Sequence, residues 1–270
     1  VVFKGGSDAD VLQNRRGRIT KIQFNGDDGD DILINEADAL VEWQIGDDAS
    51  LIADHGIYFD GGSDADVLIN RGRVSRVLFR GGADDDLFDH QTGEITDLLE
   101  FIGGDDADVL ISRARVGRIR FDGDAGPDTL LITGTVEGAG ADGGLVEFNG
   151  GDDADLLVSR GTMRRLVFRG GADDDILQTT GGSILELEFY NDAGLGILVN
   201  RTDNIQSLTY DGGSEEDMFI NRGNGIRDLT FLGKAGDDVF VNSGSTNTAA
   251  RGTLTFDAGD GSNAMRNEGI

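Results

Sequence analysis

The chain has no cysteine and a single proline, Pro127, in 270 residues. Without cysteine it has neither a disulfide framework nor a thiolate metal site. The fold must therefore be stabilised by its core or by a cation held by oxygen ligands. Helix-period apolar stripes are missing, and no apolar run approaches the roughly 18 residues of a membrane-spanning helix. These absences favour an all-β protein with no membrane span.

Basic residues are also scarce, with 23 Lys and Arg against 51 Asp and Glu and a formal net charge of −28. A partner rich in phosphate requires a positive surface, so we do not expect the chain to bind nucleic acid. The acidic residues are not spread evenly along the chain. They are concentrated in one turn that recurs from end to end.

The recurring unit is represented by residues 59–70, which read F-D-G-G-S-D-A-D-V-L-I-N. A fixed period of this length is typical of stacked repeats. The prediction is one domain over residues 1–270, an all-β parallel β-solenoid of the β-helix or β-roll type with about 13 coils of about 21 residues. The aromatic starts are Phe3, Phe24, Trp43, Phe59, Phe79, Phe101, Phe121, Phe148, Phe168, Phe189, Tyr210, Phe231 and Phe256.

Each coil is predicted to contain two short strands whose apolar side chains point inward. One strand follows the acidic turn, as in residues 67–70, and the return strand has the pattern I-x-x-L-x-F, as in residues 226–231. Leucine and phenylalanine two positions apart share one strand face, so they predict a stacked core that includes Trp43. A structural column of side-chain amides is predicted at the far corner from Asn14, Asn35, Asn70, Asn200, Asn221 and Asn242.

Both ends of the chain fall within a repeat. Residues 1–3 resemble the tail of a return strand, and residues 265–270 resemble the strand and corner at 68–74. Open strand edges pair readily with another chain. We therefore expect a piece of a longer repetitive chain that continues head to tail, within one parent chain or between subunits. The alternative is a longer chain whose caps lie outside these residues.

The acidic turn reads G-G-x-D-x-D-x-L in copies such as residues 5–12 and 103–110, and G-x-x-G-x-D at 26–31, 123–128 and 233–238. These residues resemble the calcium-binding nonapeptide of the RTX (hemolysin-type) repeat proteins, G-G-x-G-x-D-x-U-x, where U is a large apolar residue. The resemblance covers one turn per coil and nothing of the other half. It implies a β-roll in which the sixth-position aspartates and loop carbonyls hold Ca²⁺ between neighbouring coils.

Carried over by position, the predicted sixth-position ligands are Asp10, Asp31, Asp66, Asp86, Asp108, Asp128, Asp155, Asp175, Asp217 and Asp238. The fourth position is glycine in the family but acidic in most of these coils. The acidic side chain at this position either adds a ligand or merely changes the turn geometry. The predicted metal site includes these fourth-position residues: Asp8, Asp64, Asp84, Asp106, Asp153 and Asp173. Ser50, Gly196 and Asn263 stand at the sixth position of their coils, so gaps are expected there.

Electrostatics supports a cation independently of the resemblance. Carboxylates stacked every ~4.8 Å repel each other by about 3 to 4 kcal/mol per pair at an effective dielectric constant near 20. Ca²⁺ takes six to eight oxygen ligands in flexible geometry, including the backbone carbonyls that a glycine-rich turn exposes. The alternative is a hydrated acidic ridge screened by monovalent ions.

Arginines such as Arg71 and Arg113 gather at the opposite corner. They either form ion pairs between coils, with acids such as Glu94, or support lateral self-association or an anionic polysaccharide. No carboxylate pair typical of a glycosidase or lyase is apparent, and the two histidines, His55 and His90, are expected at surface corners.

The predicted function is therefore a non-enzymatic, calcium-binding structural or adhesion protein that forms a rigid rod or filament segment. It is expected outside the cell or at the cell surface. The alternative is a non-catalytic module of a β-helical polysaccharide-active enzyme.

Overall fold

The computed structural model describes residues 1–41, 56–245 and 252–269, which form 24 strands and no helix. The strands alternate along the chain between two parallel stacks. The first stack, called the F-sheet, contains β1 (Val2–Gly6), β3 (Ile22–Asp28), β5 (Ile57–Ser63), β7 (Arg73–Gly82), β9 (Glu94–Gly104), β11 (Arg115–Ala125), β13 (Leu145–Asp152), β15 (Thr162–Gly171), β17 (Ser183–Tyr190), β19 (Ser207–Asp211), β21 (Asp228–Leu232) and β23 (Leu254–Asp257).

The second stack, called the N-sheet, follows the acidic turns. It contains β2 (Val11–Ile19), β4 (Ile32–Val41), β6 (Val67–Asn70), β8 (Leu87–His90), β10 (Val109–Ser112), β12 (Thr129–Ile132), β14 (Leu156–Ser159), β16 (Ile176–Thr180), β18 (Ile197–Arg201), β20 (Met218–Asn221), β22 (Val239–Asn242) and β24 (Ala264–Asn267). Like strands of successive coils pair in parallel, and β4 also pairs with β7. The predicted parallel β-solenoid with two strands per coil is confirmed.

The described residues form twelve coils, one fewer than the number of aromatic starts. Phe24 pairs directly with Phe59, and their ring centroids are 4.7 Å apart, so these two coils are neighbours. The remaining start, Trp43, lies outside the described residues. From Phe24 to Phe189, eight aromatic rings stack with centroid separations of 4.7 to 5.1 Å. Each aromatic contact adds about 0.5 to 1.5 kcal/mol to the burial of the rings.

The predicted amide column is confirmed at both ends of the rod. Asn14 donates to Asn35 and Asn35 to Asn70, each at 2.8 Å, and Asn200, Asn221, Asn242 and Asn267 continue the same pattern. In between, the register places other residues in the column: His90, Ser112, Ile132, Ser159 and Thr179. We call this set the corner column.

His90 therefore lies inside the rod, and the expectation of a surface position was wrong. Its side chain is fully buried. The Asn70 amide lies 3.0 Å from Nδ1, and the Arg115 carbonyl lies 3.2 Å from Nε2. Burial lowers the pKa of His90, which favours the neutral ring. The other histidine, His55, lies outside the described residues.

The N-sheet differs from the prediction that apolar side chains point only inward. Its second and fourth residues face the core, whereas its first and third face outward, because side chains alternate along a strand. The register aligns the outward residues in two columns. The first is Val11, Ile32, Val67, Leu87, Val109, Thr129, Leu156, Ile176, Ile197, Met218, Val239 and Ala264, and the second is Gln13, Ile34, Ile69, Asp89, Ile111, Leu131, Val158, Gln178, Val199, Ile220, Val241 and Arg266.

We call this surface the outer apolar face. Most of its side chains are half-buried by their ladder neighbours, and Val11 and Ile176 are exposed. The corresponding face of the F-sheet is polar in most coils, with Glu100, Arg120 and Glu147 in one of its outward columns. No helix long and apolar enough to cross a membrane occurs in the described part of the chain.

Candidate metal site

The acidic turn joins each F-sheet strand to the following N-sheet strand at one edge of the rod. Its second and fourth residues adopt left-handed backbone conformations in most coils. At the fourth position the φ angle is 70° for Asp64, 71° for Asp106 and 65° for Asp173. Aspartate tolerates this region better than most residues with a side chain. The acidic residue is thus accommodated at a position where the turn requires a positive φ angle.

Three coils with glycine at the fourth position show the reverse arrangement. Gly29, Gly126 and Gly236 have φ angles of 105°, 108° and 120°, and their second-position residues Asp27, Asp124 and Lys234 have φ angles of 75°, 76° and 70°. Each of these turns therefore combines one glycine with one side chain in the left-handed region. Both sequence versions of the turn therefore have positive φ angles at these two positions, but the smaller and the larger angle are exchanged between them.

The fourth- and sixth-position carboxylates point to different places. The sixth-position aspartates from Asp31 to Asp238 are at most 2% exposed, and Asp10, in the first coil, is half-buried. We call this set the aspartate column. The fourth-position residues Asp8, Asp64, Asp84, Asp106, Asp153 and Asp173 are exposed. Three of them, Asp64, Asp84 and Asp106, line a shallow outer cleft of about 250 Å³ together with Asp30 and Asp85.

Hydrogen bonds tie the aspartate column together along the rod. The backbone N–H of each aspartate donates to Oδ1 of the aspartate in the next coil, as from Asp86 to Asp108 at 2.9 Å and from Asp108 to Asp128 at 2.8 Å. The same contact recurs from Asp10 through Asp175, at 2.7 to 2.9 Å. One carboxylate oxygen per coil is therefore satisfied by the backbone.

The second oxygen is not satisfied. Oδ2 is buried without a hydrogen-bond partner in Asp31, Asp66, Asp86, Asp108, Asp128, Asp155, Asp175 and Asp238. It packs against the first glycine of its own turn, since a Cβ atom on Gly61 would lie 2.0 Å from Oδ2 of Asp66. The same Cβ position is 2.6 Å from the carbonyl oxygen of Gly81 in the next coil. A carboxylate oxygen and a carbonyl oxygen thus lie near each other with no donor between them.

Burial makes the ionised form of these groups unfavourable. It is the main cause that raises the pKa of Asp66, Asp108 and Asp155 to about 8, and neighbouring carboxylates raise it further against the lowering effect of the backbone hydrogen bond. The same causes raise the pKa of Asp86, Asp128 and Asp175 to about 7. Each Oδ2 therefore requires either a proton or a cation.

Asn263 shows how an uncharged side chain is bound at the sixth position of the turn. Its Oδ1 accepts the Asp238 backbone N–H at 2.7 Å, as an aspartate would, and its Nδ2 donates to the Ala258 carbonyl at 2.9 Å. The amide supplies the donor that Oδ2 of an aspartate lacks. An asparagine therefore satisfies this position without any cation.

Of the other two predicted gaps, Ser50 lies outside the described residues. The gap at Gly196 is filled by two side chains that the sequence did not single out. Tyr210 stands in the phenylalanine column, and its hydroxyl donates to the Gly196 carbonyl at 2.7 Å. Asn191 replaces the first glycine of that turn and donates to the Gly194 carbonyl at 2.8 Å. The next aspartate, Asp217, accepts from the backbone N–H groups of Gly196 at 2.9 Å and Gly213 at 2.7 Å. Its carboxylate is satisfied by the protein alone.

The donor set around each Oδ2 fits a hard cation in chemical type. No three Asp, Glu or His side chains in the described ranges come close enough to share an ion. Any ion in the column would therefore depend on carboxylate oxygens from neighbouring coils and on backbone carbonyls. Oxygen ligands of this mixed kind suit Ca²⁺ better than transition metals.

The arginine corner confirms part of the prediction of ion pairs between coils. Arg73 and Arg115 both approach Glu94, at 3.4 and 3.3 Å, and Arg71 lies 3.1 Å from Glu36. Such exposed pairs contribute about 0 to 1 kcal/mol each. Arg160, Arg201 and Arg222 are exposed and form no ion pair with any other residue that the structure describes.

No protein-family model, curated protein or solved structure matches this chain. The likeness to RTX repeats therefore rests on the turn residues alone.

Proposed function

We propose that this chain is a calcium-binding structural or adhesive rod that acts outside the cell or at its surface, with Ca²⁺ held along the aspartate column. The observation that carries the proposal is the unpartnered Oδ2 atom, which recurs in eight coils and lies beside a carbonyl oxygen of the next coil in seven of them. Asn263 supports it, because an amide satisfies the same position without charge. Carboxylates kept in ten coils, despite the cost of their burial, favour a cation over a hydrogen-bond ladder.

The column's own residues would hold the ion. The ligands would be the Oδ2 atoms and the first-position glycine carbonyls, as at Asp66 and Gly81. The row would be interrupted at Gly196, where Tyr210 and Asn191 provide the hydrogen bonds instead. Calcium neutralises the stacked carboxylates and links each coil to the next, so it stiffens the rod. Extracellular modules bind Ca²⁺ with Kd of roughly 10⁻⁴ to 10⁻³ M, which suits sites with few carboxylates per ion.

The proposal assigns no catalytic role to the chain. The repeat places its acids in columns rather than in an isolated pair, and His90 is buried in the corner column with both ring nitrogens engaged. A general acid or base must reach a substrate proton. The described residues around His90 leave it no such access.

Thermal unfolding with and without calcium tests the proposal. Ca²⁺ added to metal-free protein should raise the Tm by roughly 10 °C or more, because each occupied site stabilises the folded state by RT ln(1 + [L]/Kd). Mg²⁺ should be a poor substitute, since it requires a smaller and more regular site. A Tm that calcium leaves unchanged, on protein verified to be metal-free, would exclude the proposal.

A matched pair of triple variants locates the sites. Asp66→Asn, Asp108→Asn and Asp155→Asn together should preserve the fold, following Asn263, while reducing the number of bound Ca²⁺ ions and the calcium-induced rise in Tm. The control combines Asp64→Asn, Asp106→Asn and Asp153→Asn, which are exposed fourth-position residues, and should retain most of both effects. Calorimetric titration gives the stoichiometry. Equal losses in the two variants would place calcium on the outer acidic surface instead.

A further inference from the structure

We propose that the outer apolar face of the N-sheet is a lateral association surface, and that a second copy of this chain docks on it with the two rods parallel. The proposal does not rest on calcium in the aspartate column. It begins from the composition of the face. Only Asp89 and Arg266 are charged among its 24 positions, although the chain carries a net charge of −28.

The one charge in the interior of the face is already neutralised. Asp89 is buried and paired with Arg113 from the following coil. The other charge, Arg266, lies in the last coil and pairs with Glu268. The remaining positions are aliphatic, methionine, alanine, threonine or glutamine, and they form two continuous columns. Large exposed apolar surfaces of this kind mark interaction sites on soluble proteins.

The area of the face suits a dimer of this chain. Twelve coils spaced ~4.8 Å apart give a length of about 53 Å, and four strand residues give a width of about 13 Å. The face therefore covers roughly 700 Å² per copy, or about 1,400 Å² when two copies pack. Stable protein interfaces bury about 1,200 to 2,000 Å². A second copy also has the same coil spacing, so its side-chain rows can fit between those of the first along the whole length.

Charge complementarity at the rims selects the orientation. One rim carries the exposed acidic turns, represented by Asp106 and Asp153, and the other carries the arginines that follow the corner column, represented by Arg160, Arg201 and Arg222. A two-fold axis parallel to the rods reverses the strand direction and brings each acidic rim against the partner's arginine rim. A two-fold axis perpendicular to the rods would place acid against acid. Parallel rods therefore give favourable rims around an apolar centre.

Arg160, Arg201 and Arg222, which form no ion pair in the described ranges, fit this arrangement. Within the described part of the chain they have no carboxylate partner, whereas Arg71, Arg113 and Arg115 do. In the parallel dimer they face the acidic turns of the second copy. Salt should weaken these rim contacts, but it should also screen the repulsion between two acidic rods. Because these two effects oppose each other, burial of the outer apolar face provides the main part of the dimer affinity.

The first test is the mass and shape of the folded chain in calcium-containing buffer. Sedimentation equilibrium should give twice 28.6 kDa, and small-angle scattering should show a thicker cross-section at an unchanged length. A monomer at the highest soluble concentration would overturn the proposal. A dimer of doubled length would also overturn it, because such a dimer forms through the rod ends.

Substitutions test the face itself. Ile111→Lys combined with Val158→Lys places two charges near the centre of the outer apolar face and should weaken dimerisation by at least about tenfold. Lysine lowers the net negative charge, so the loss cannot be assigned to added repulsion. The control is Leu185→Lys, an apolar residue 41% exposed on an F-sheet strand. All variants are first checked for an unchanged Tm and circular dichroism. Equal weakening by the control would refute the assigned surface.

Crosslinking tests the orientation, and the absence of native cysteine makes it selective. Gln13→Cys lies in the first coil of the outer apolar face and Arg266→Cys in the last. A short bifunctional thiol reagent should link Gln13→Cys chains to one another, and Arg266→Cys chains likewise. Crosslinks formed only in mixtures of the two variants would show antiparallel rods and overturn the parallel arrangement.

Discussion

A buried carboxylate that has one satisfied and one orphaned oxygen is the residue-scale feature of this rod. Oδ1 of Asp108 accepts a backbone N–H at 2.9 Å, while its Oδ2 has no partner. A neutral amide would remove the deficit, as Asn263 shows. Because Oδ2 has no partner, the stability of the fold should depend on whether a proton or a cation is bound to this oxygen.

The metal-free rod should lose stability as the pH rises. The folded-state pKa is about 8 for Asp66, Asp108 and Asp155, against an ordinary value of 3.8. The folded state therefore binds more protons than the unfolded state between these values. The stabilisation is fully present below about pH 4 and is lost as the pH rises through about 7 to 8. Urea unfolding of metal-free protein across this range measures it.

The triple variant Asp66→Asn, Asp108→Asn, Asp155→Asn should show a flatter dependence on pH, since its amides do not titrate. Calcium should reverse the trend in the wild type, because ionised carboxylates bind the ion better. A metal-free wild type that is more stable at pH 8 than at pH 5 would contradict a protonated column.

At the scale of a structural element, the corner column shows how a ladder depends on continuity. Asn200, Asn221 and Asn242 each donate to the next amide and accept from the residue before them in the column, and Asn267 accepts the last of these bonds. The centre of the column is different. Ile132 separates Ser112 from Ser159, and both serine hydroxyls are buried without a partner.

Two alanine substitutions in this column should therefore change the free energy of unfolding by different amounts or in opposite directions. Asn221→Ala should lower the free energy of unfolding by about 1 to 3 kcal/mol, because it leaves the Asn200 donor and the Asn242 acceptor unsatisfied. Ser159→Ala should be neutral or stabilising by up to about 1 kcal/mol, because it removes a hydroxyl that is already unsatisfied. Chemical denaturation compares them, and a larger loss for Ser159→Ala would show that its hydroxyl has a partner.

At the scale of the whole molecule, the aspartate column divides the rod into unequal parts. Coils from Asp31 to Asp175 have the orphaned oxygen, whereas the junction around Gly196 and Asp217 is held by Tyr210, Asn191 and backbone N–H groups. In a solenoid each coil contacts only its neighbours, so local differences of this kind are not averaged over the molecule.

Chelation should therefore reduce hydrogen-exchange protection unevenly. Under conditions where the metal-free rod stays folded, the backbone amides of Asp86, Asp108 and Asp128 should exchange faster. The amides of Gly196 and Gly213, which donate to Asp217, should change little. Mass spectrometry of peptides from the two regions makes one the control for the other. A uniform change along the rod would argue against ions confined to the coils with an orphaned oxygen.

The amino-acid sequence by itself determined the repeat, the all-β class, the phenylalanine stacking and the amide ladder at both ends of the rod. These follow from residues repeated at a fixed spacing, and identical coils can stack in only one register that keeps like side chains together. The sequence also located both rows of acids in the turn, but not their directions. The left-handed backbone at positions such as Asp106 turns one carboxylate outward, while that of Asp108 points inward.

Only the tertiary structure decided three further points. Val109-Leu110-Ile111 is continuously apolar, so its pattern does not reveal which residues face outward, and that choice depends on the path of the preceding turn. His90 is buried because the register places it in the corner column below Asn70. The adjacency of Phe24 and Phe59 is a contact across 35 residues, and spacing alone cannot predict which coils are neighbours where the period is broken.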